Sequence, residues 1–267
     1  MPAAASAAAA WRCSAEWLAP HVYKRSLHGP GGARVTPLWM ITDRSIPGFS
    51  DELWVEWAAE HGCDAQALHI QDGKWHTGIA EPPPDEATPR QDVVTQQAKL
   101  HTVPPIAITS GLGSYFALKH LETYPLAGLV CILPHVPGLA HPPAHHANMP
   151  DAEMPPVNLE PSPVPILLIG PASGPGSSHA AAIAQAHGLA APGSDDAVHL
   201  SCAPAGIQHA PLASLYDSEH GPLDSEDIAL ANAVWLTHCD TAPGKALAFA
   251  QSEALLDLIW TWVDERA

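Results

Sequence analysis

The residues best placed to do chemistry form one short turn, Ser110–Gly113. The turn follows an apolar, β-branched run at 106–108 and precedes a segment, 114–124, whose apolar residues recur at helical spacing. This pattern predicts a buried strand followed by a helix. A sharp turn between two such elements is where α/β enzymes often carry a nucleophile or bind an anion.

Two interpretations of the hydroxyl groups at this turn are open. In the first, Ser110 or Ser114 is a nucleophile and His209 is the base that activates it. In the second, the serines are structural: Ser110 ends the strand, and Ser114 starts the helix and satisfies free backbone N–H groups there. The structural interpretation is favoured, because the chain has 17 histidines and a loop histidine needs no catalytic explanation.

A second concentration of polar groups lies in a Pro-rich and His-rich segment at 135–163 that has no periodicity. A structureless stretch of this length is usually a lid, another functional loop or disordered chain. Its imidazoles and carboxylates could bind Zn²⁺, but their spacing fits no known zinc pattern. We therefore predict a reduced, solvated lid with no metal and no cofactor. The residues concerned are His135, His141, His145, His146, Asp151 and Glu153.

The five cysteines are odd in number and scattered, and none belongs to a CxxC pair. Most lie among apolar residues, which favours reduced core thiols over a disulfide framework or a zinc site. Cys131, inside the apolar run at 129–133, is predicted to be a packed thiol.

The elements that must position the turn alternate along the chain. Strands are predicted at 35–41, 65–70, 106–108, 129–133, 165–170 and 197–202, and helices at 51–61, 91–101, 114–124, 177–187 and near the C-terminus. Repeated alternation predicts an α/β fold with a mostly parallel central sheet and helices on both faces. Ligands bind beyond the carboxyl ends of such strands. The turn, His135, the residues after Gly170 and His209 should therefore meet at that edge.

Bulk properties exclude several classes of partner. The formal net charge of −17 argues against nucleic acid and anionic membrane surfaces. The sequence has no run of 18 apolar residues, so no membrane span is predicted. A length of 267 residues suits one large domain, which we place at 35–267.

Residues 1–34 are predicted to be an N-terminal extension. They are Ala-rich, and four basic residues stand against the single acid Glu16. This composition is typical of a transit segment for the mitochondrion or chloroplast. The alternative is an ordinary disordered or helical N-terminus, and the protein would then be cytoplasmic.

The order of these parts resembles the α/β-hydrolase family over nearly the whole chain after residue 35. Residues 38–70 are similar to the family's first core strand, oxyanion loop, first helix and following strand, and 104–134 to its nucleophile strand, elbow, helix and next strand. Residues 163–170 resemble the strand that carries the catalytic acid, and 206–212 the loop that carries the catalytic histidine. The resemblance implies a three-layer sandwich and serine-hydrolase chemistry.

The functional positions of the family are mostly absent. Aligning the elbow motif G-x-S-x-G on 109–113 puts Gly111 where the serine belongs. No carboxylate follows Gly170 before the next helix, although the family places its acid there. Thr42-Asp43 replaces the oxyanion His-Gly, and an aspartate would repel a developing oxyanion. His209 alone occupies an expected place.

The sequence therefore predicts an α/β-hydrolase-like protein that has lost catalysis. Its expected role is that of a binding protein for a small apolar ligand, or of an accessory subunit with a protein partner. The alternative is an active serine hydrolase that cleaves a small ester or amide with Ser110 and His209.

Overall fold

A computed structural model of the chain describes residues 12–19, 22–28, 36–43, 58, 61–70, 103–137, 156–174, 176–194, 197–201, 216–217, 221–222, 232–237 and 253–266. The predicted helix at 91–101, most of the predicted helix at 51–61 and the greater part of the predicted lid lie outside these residues.

The described strands and helices follow the alternation that the sequence predicts. The strands are β1 (Arg12–Ala19), β2 (Val22–His28), β3 (Leu38–Asp43), β4 (Ala65–Ile70), β5 (Ile106–Ser110), β6 (Gly128–Ile132), β7 (Ile166–Pro171), β8 (Val198–Ser201), β9 (Tyr216–Asp217), β10 (Gly221–Pro222) and β11 (Ala233–Thr237). The helices are α1 (Gly113–Leu121), α2 (Ser177–His187) and α3 (Glu253–Asp264).

All described strands belong to one sheet, in the order β1-β2-β4-β3-β5-β6-β7-β11-β8-β9-β10. From β4 to β8 every neighbouring pair is parallel. The pairs at either end, β1-β2, β2-β4, β8-β9 and β9-β10, are antiparallel. Strand β5 is an inner strand of the parallel part, between β3 and β6, so the turn after it lies among the carboxyl ends of its neighbours.

The sheet is covered on both faces. Alternate residues of the central strands pack against α1 and α2 on one face, with Phe116 and Ile183 among the buried contacts. The other alternate set packs against α3, where Ile259, Trp262 and Val263 are buried. Period-2 alternation of a strand places its side chains on opposite faces, so one strand contributes to both cores. The predicted fold class, a mostly parallel sheet with helices on both faces, is confirmed.

Two parts of the sheet differ from the sequence analysis. Residues 12–28, read as a leader or as a disordered or helical terminus, contain β1 and β2, and β2 pairs with β4. Strand β11 was missed; it follows β8 along the chain but lies between β7 and β8 in the sheet. Whether residues 1–34 also direct the chain to an organelle stays a prediction.

No helix among the described residues is long and apolar enough to cross a membrane.

Close backbone contacts hold α1 and α2 on their face of the sheet. A Cβ at Gly113 would lie 2.0 Å from the carbonyl oxygen of Ile41 in β3. A Cβ at Gly170 in β7 would lie 2.5 Å from the Cβ of Ala180 in α2. Interiors are close-packed, so neither contact can be relieved without moving a helix or a strand.

The first testable consequence concerns Gly113. Gly113→Ala should lower the free energy of unfolding by about 3 kcal/mol, because the new methyl group would overlap backbone atoms of a central strand. The matched control is Gly188→Ala, where nothing lies within 4 Å and only a φ of +65° opposes the side chain. The control substitution should lower the free energy of unfolding by about 1 kcal/mol. Urea denaturation measures both, and equal costs would contradict the packing argument.

Candidate functional site

Gly111 occupies the tip of the turn between β5 and α1. Its φ is +54°, in the left-handed region that glycine adopts without steric cost. Its N–H donates to the carbonyl of Ile132 at 3.2 Å, and its carbonyl accepts from the N–H groups of His135 at 2.9 Å and Ser114 at 3.2 Å. The tip is therefore tied to the end of β6 and to the first turn of α1. A turn fixed in this way presents its residues in one geometry.

Ser110 does not lie at the tip. It is the last residue of β5, its exposed fraction is 1%, and its register partner is Ile132. Its Oγ is buried and makes no hydrogen bond to any described residue. A hydroxyl with no contact to solvent is a poor nucleophile.

Ser114 belongs to a buried polar cluster that also contains Thr109 and Cys131. The hydroxyls of Ser114 and Thr109 share a hydrogen bond of 3.0 Å, and Thr109 Oγ1 donates to the carbonyl of Val130 at 2.9 Å. Leu112 is the residue that precedes the helix, and no side chain caps it. The prediction that Ser114 satisfies backbone N–H groups at the helix start is therefore wrong. Its hydroxyl bonds sideways to Thr109 instead.

Cys131 is a packed thiol, as predicted. It is completely buried, and burial raises its pKa to about 11, against a smaller lowering by the neighbouring hydroxyls of Thr109 and Ser114. A thiol with that pKa is almost entirely protonated at neutral pH and is unreactive. Cys63 is also free and buried.

Two buried histidines lie beside the turn. The rings of His135, which follows β6, and His179, in the first turn of α2, have their centroids 4.9 Å apart. The Nδ1 atom of His179 lies 3.0 Å from the carbonyl oxygen and 3.2 Å from the nitrogen of Val136. When Nδ1 carries the proton, it donates to the Val136 carbonyl oxygen. When Nδ1 is unprotonated, it accepts from the Val136 N–H. In either tautomer His179 is bonded to Val136 and fixes the segment after β6 against α2.

The turn after β7, where the resemblance expects a catalytic acid, is Pro171-Ala172-Ser173-Gly174-Pro175-Gly176 and has no carboxylate. The Ala172 N–H donates to Leu236 at 3.0 Å and continues the pairing with β11. Ser177 Oγ donates to the Gly174 carbonyl at 2.8 Å, and Gly176, with φ +87°, precedes α2. The polar atoms named here serve the helix start and the sheet.

The structure brings three of the four predicted parts together at the carboxyl edge: the glycine turn, His135 and the start of α2 after β7. His209, the predicted base, lies outside the described residues, as do His141, His145, His146, Asp151 and Glu153. The pairing of Ser110 with His209 therefore stays a prediction. Within the described part of the chain, no cluster of three His, Cys, Asp or Glu residues could hold a metal ion.

Sequence reasoning did not single out His179. It lies in an Ala-rich helix, and nothing in the local pattern distinguishes it from the other histidines of the chain. Its role depends on the packing of α2 against the segment after β6, which local sequence does not encode.

His179→Phe tests the role of this histidine. The ring volume is nearly kept, but Val136 loses its side-chain partner, so the free energy of unfolding should fall by about 1–3 kcal/mol. Ser178→Ala, on the exposed side of the same helix turn, is the control and should change stability by less than about 0.5 kcal/mol. Urea denaturation of both variants decides, and an unchanged midpoint for His179→Phe would contradict the role.

Alkaline pH should destabilise the fold through Cys131. Its pKa is raised from 9.0 to about 11, so the stabilising contribution is fully present below pH 9 and is lost as the pH rises toward about 11. The loss should be about 2–3 kcal/mol.

The measurement is the free energy of unfolding against pH for the wild type and Cys131→Ala. Burial also raises the pKa of Tyr115 to about 12, so the variant retains part of the alkaline loss. The variant should lose stability less steeply than the wild type over this range, and parallel curves would be the contrary result.

No family model matches this chain, and no curated protein is similar to it in sequence. Solved structures of similar fold include a hormone-sensitive lipase from a metagenome library, which is 13% identical, with 67% of this chain and 72% of that chain covered and a TM-score of 0.44. An esterase from Pyrobaculum calidifontis is 13% identical, with 67% and 73% covered and a TM-score of 0.45. EstE7, a homologue of hormone-sensitive lipase from a metagenome library, is 13% identical, with 67% and 72% covered and a TM-score of 0.45.

At these values the comparisons carry no conclusion about the activity of this chain. The fold is read from the chain's own sheet order, from the helices on both faces of the sheet and from the glycine turn that follows the central strand β5. These features agree with the resemblance seen in the sequence, and the chain has an α/β-hydrolase-like fold.

Proposed function

We propose that this chain has lost serine-hydrolase chemistry and works by binding, either as a binding protein for a small ligand or as an accessory subunit of a larger assembly. The proposal rests above all on one observation. The tip of the turn, where a nucleophile would stand, is Gly111 in a left-handed conformation, and no side chain can be presented from it.

The nearest hydroxyls do not replace a nucleophile at the tip. Ser110 is 1% exposed at the end of β5, and Ser114 is fully buried and bonded to Thr109. A substrate carbonyl must come within about 3 Å of the attacking oxygen in a productive complex. Both oxygens are buried, so the geometry supports a non-catalytic role.

The supporting groups of a hydrolase are also lacking where the resemblance expects them. No carboxylate stands between β7 and α2, so nothing at that turn could orient a histidine. Near the turn, His135 and His179 are buried, and His179 is bonded to backbone groups. A chain free of the need for catalysis can use such polar groups to rigidify the fold.

The alternative, cleavage of a small ester or amide by Ser110 and His209, requires an exposed Ser110 Oγ bonded to the imidazole. The buried position of Ser110 in the described part of the chain does not favour it.

A fluorophosphonate probe separates the two functions. The purified chain should not be labelled, and it should hydrolyse p-nitrophenyl acetate no faster than buffer, because the Ser110 and Ser114 hydroxyls are buried. The control is Ser110→Ala, which should behave as the wild type does. Labelling of the wild type that disappears in Ser110→Ala would refute the proposal and establish the alternative.

Gly111→Ser sharpens the same experiment. It puts a hydroxyl at the tip, at a cost of about 1–2 kcal/mol of stability for a side chain in the left-handed region. This variant should also remain unlabelled, because no carboxylate follows β7 to orient a base. Its labelling would show that the rest of the machinery is present and that only the nucleophile has been lost.

A further inference from the structure

Residues 156–163, which we call the strap, run past the end of α1 and belong to no helix or strand. Pro156, Pro161 and Pro163 fix φ at three positions of the strap. A chain restricted in this way gains little conformational freedom when it leaves the folded surface. The strap is therefore suited to move as one stiff piece.

Two side chains at the end of α1 make the hydrogen bonds that attach the strap to the described helices and strands. Lys119 Nζ donates to the carbonyl of Pro156 at 3.0 Å, and the N–H of Asn158 donates to Glu122 Oε1 at 2.6 Å. Lys119 Nζ also donates to Glu122 Oε2 at 2.6 Å. The bonds between Asn158 and Glu160 lie within the strap. The polar attachment of the strap thus depends on one ion pair.

The apolar attachment of the strap is small. Val157 is 8% exposed and Leu159 packs against the core as a partly buried residue, whereas every other strap residue is at least partly exposed. A cavity of about 410 Å³ is lined by residues 157–163 together with the last turn of α1 and His187 of α2. Few buried contacts and exposed hydrogen bonds characterise segments that open locally.

The sheet begins only after the strap. The carbonyl of Pro165 accepts from the N–H of Leu129 at 2.9 Å, and β7 starts at Ile166. Opening of the strap therefore breaks no hydrogen bond between the described strands.

We propose that the strap opens as one unit while the sheet stays folded, and that the ion pair between Lys119 and Glu122 is the latch that controls this opening. The side chains of the pair are 21% and 22% exposed, so dissolved salt can screen them. The Debye length falls from about 10 Å at 0.1 M salt to about 3 Å at 1 M. Salt should therefore favour the open strap.

Hydrogen exchange of the full chain, labelled with ¹⁵N and followed by NMR, tests this device. The amide of Asn158 reports on the strap, and the amides of β6, inside the sheet, report on global unfolding. Asn158 should exchange at least about a hundredfold faster than the β6 amides. Exchange of Asn158 and β6 with the same free energy of opening would overturn the proposal, because the strap would then open only when the whole fold does.

The response to salt separates the strap from the rest of the fold. Raising NaCl from 0.1 to 1 M should speed exchange of Asn158 about threefold, as expected for a partly exposed ion pair. The β6 amides should not exchange faster, because salt also screens the mutual repulsion of a chain with a formal net charge of −17. Slower or unchanged exchange of Asn158 in 1 M NaCl would contradict the latch.

Glu122→Gln is the deciding variant. It removes the charge that pairs with Lys119 and keeps a carbonyl oxygen as acceptor for Asn158. Exchange of Asn158 should be about fivefold faster than in the wild type and should lose its response to salt, while the urea midpoint stays unchanged. Glu265→Gln, exposed beyond the end of α3, is the matched control and should leave Asn158 exchange unchanged. An unchanged rate in Glu122→Gln refutes the latch, whatever the outcome of the labelling experiments at Ser110.

Discussion

The contact between the carbonyl of Ile41 and the α carbon of Gly113 constrains the rest of this structure. It allows α1 to begin directly against the backbone of β3, at a distance where only a hydrogen atom fits. The turn from β5 into α1 must then be sharp, and its tip at Gly111 must take a positive φ. The family that this chain resembles accepts strain at that tip to present a nucleophile. Here a glycine relieves the strain at the tip.

Polar groups around the turn are hydrogen-bonded to one another or to the backbone. Thr109, Ser114 and Cys131 form a buried cluster below the tip, and His179 is bonded to Val136 at its side. In a low-dielectric interior, satisfied polar groups stabilise one arrangement and resist rearrangement. A reactive group needs an accessible atom and a tuned pKa near neutrality. Burial raises the pKa of Cys131 to about 11, so this thiol is inaccessible and is not tuned for reaction near neutral pH.

The sequence predicted the central unit well, because local patterns determine it. The glycine turn, the helix from Gly113 and the strands on either side were placed within a few residues of their bounds. The errors concern relations between distant segments. Strand β11 lies between β7 and β8, and no local sequence pattern indicates that position. Strands β1 and β2 were missed because their composition resembles that of a leader. His179 was overlooked for the same reason, since its significance depends on the packing of α2.

The two edges of the sheet therefore differ in what they leave open. At the carboxyl edge, where parallel sheets usually bind their ligands, Ser110 and Leu112 are buried and the groups beside them are engaged with one another. At the opposite edge, the last turn of α1, the end of α2 and residues 157–163 line a cavity of about 410 Å³. Gly113 and Gly170 allow the two helices to start close against the sheet. The close contacts at the helix starts thus lie at the first edge, and the open space lies at the second.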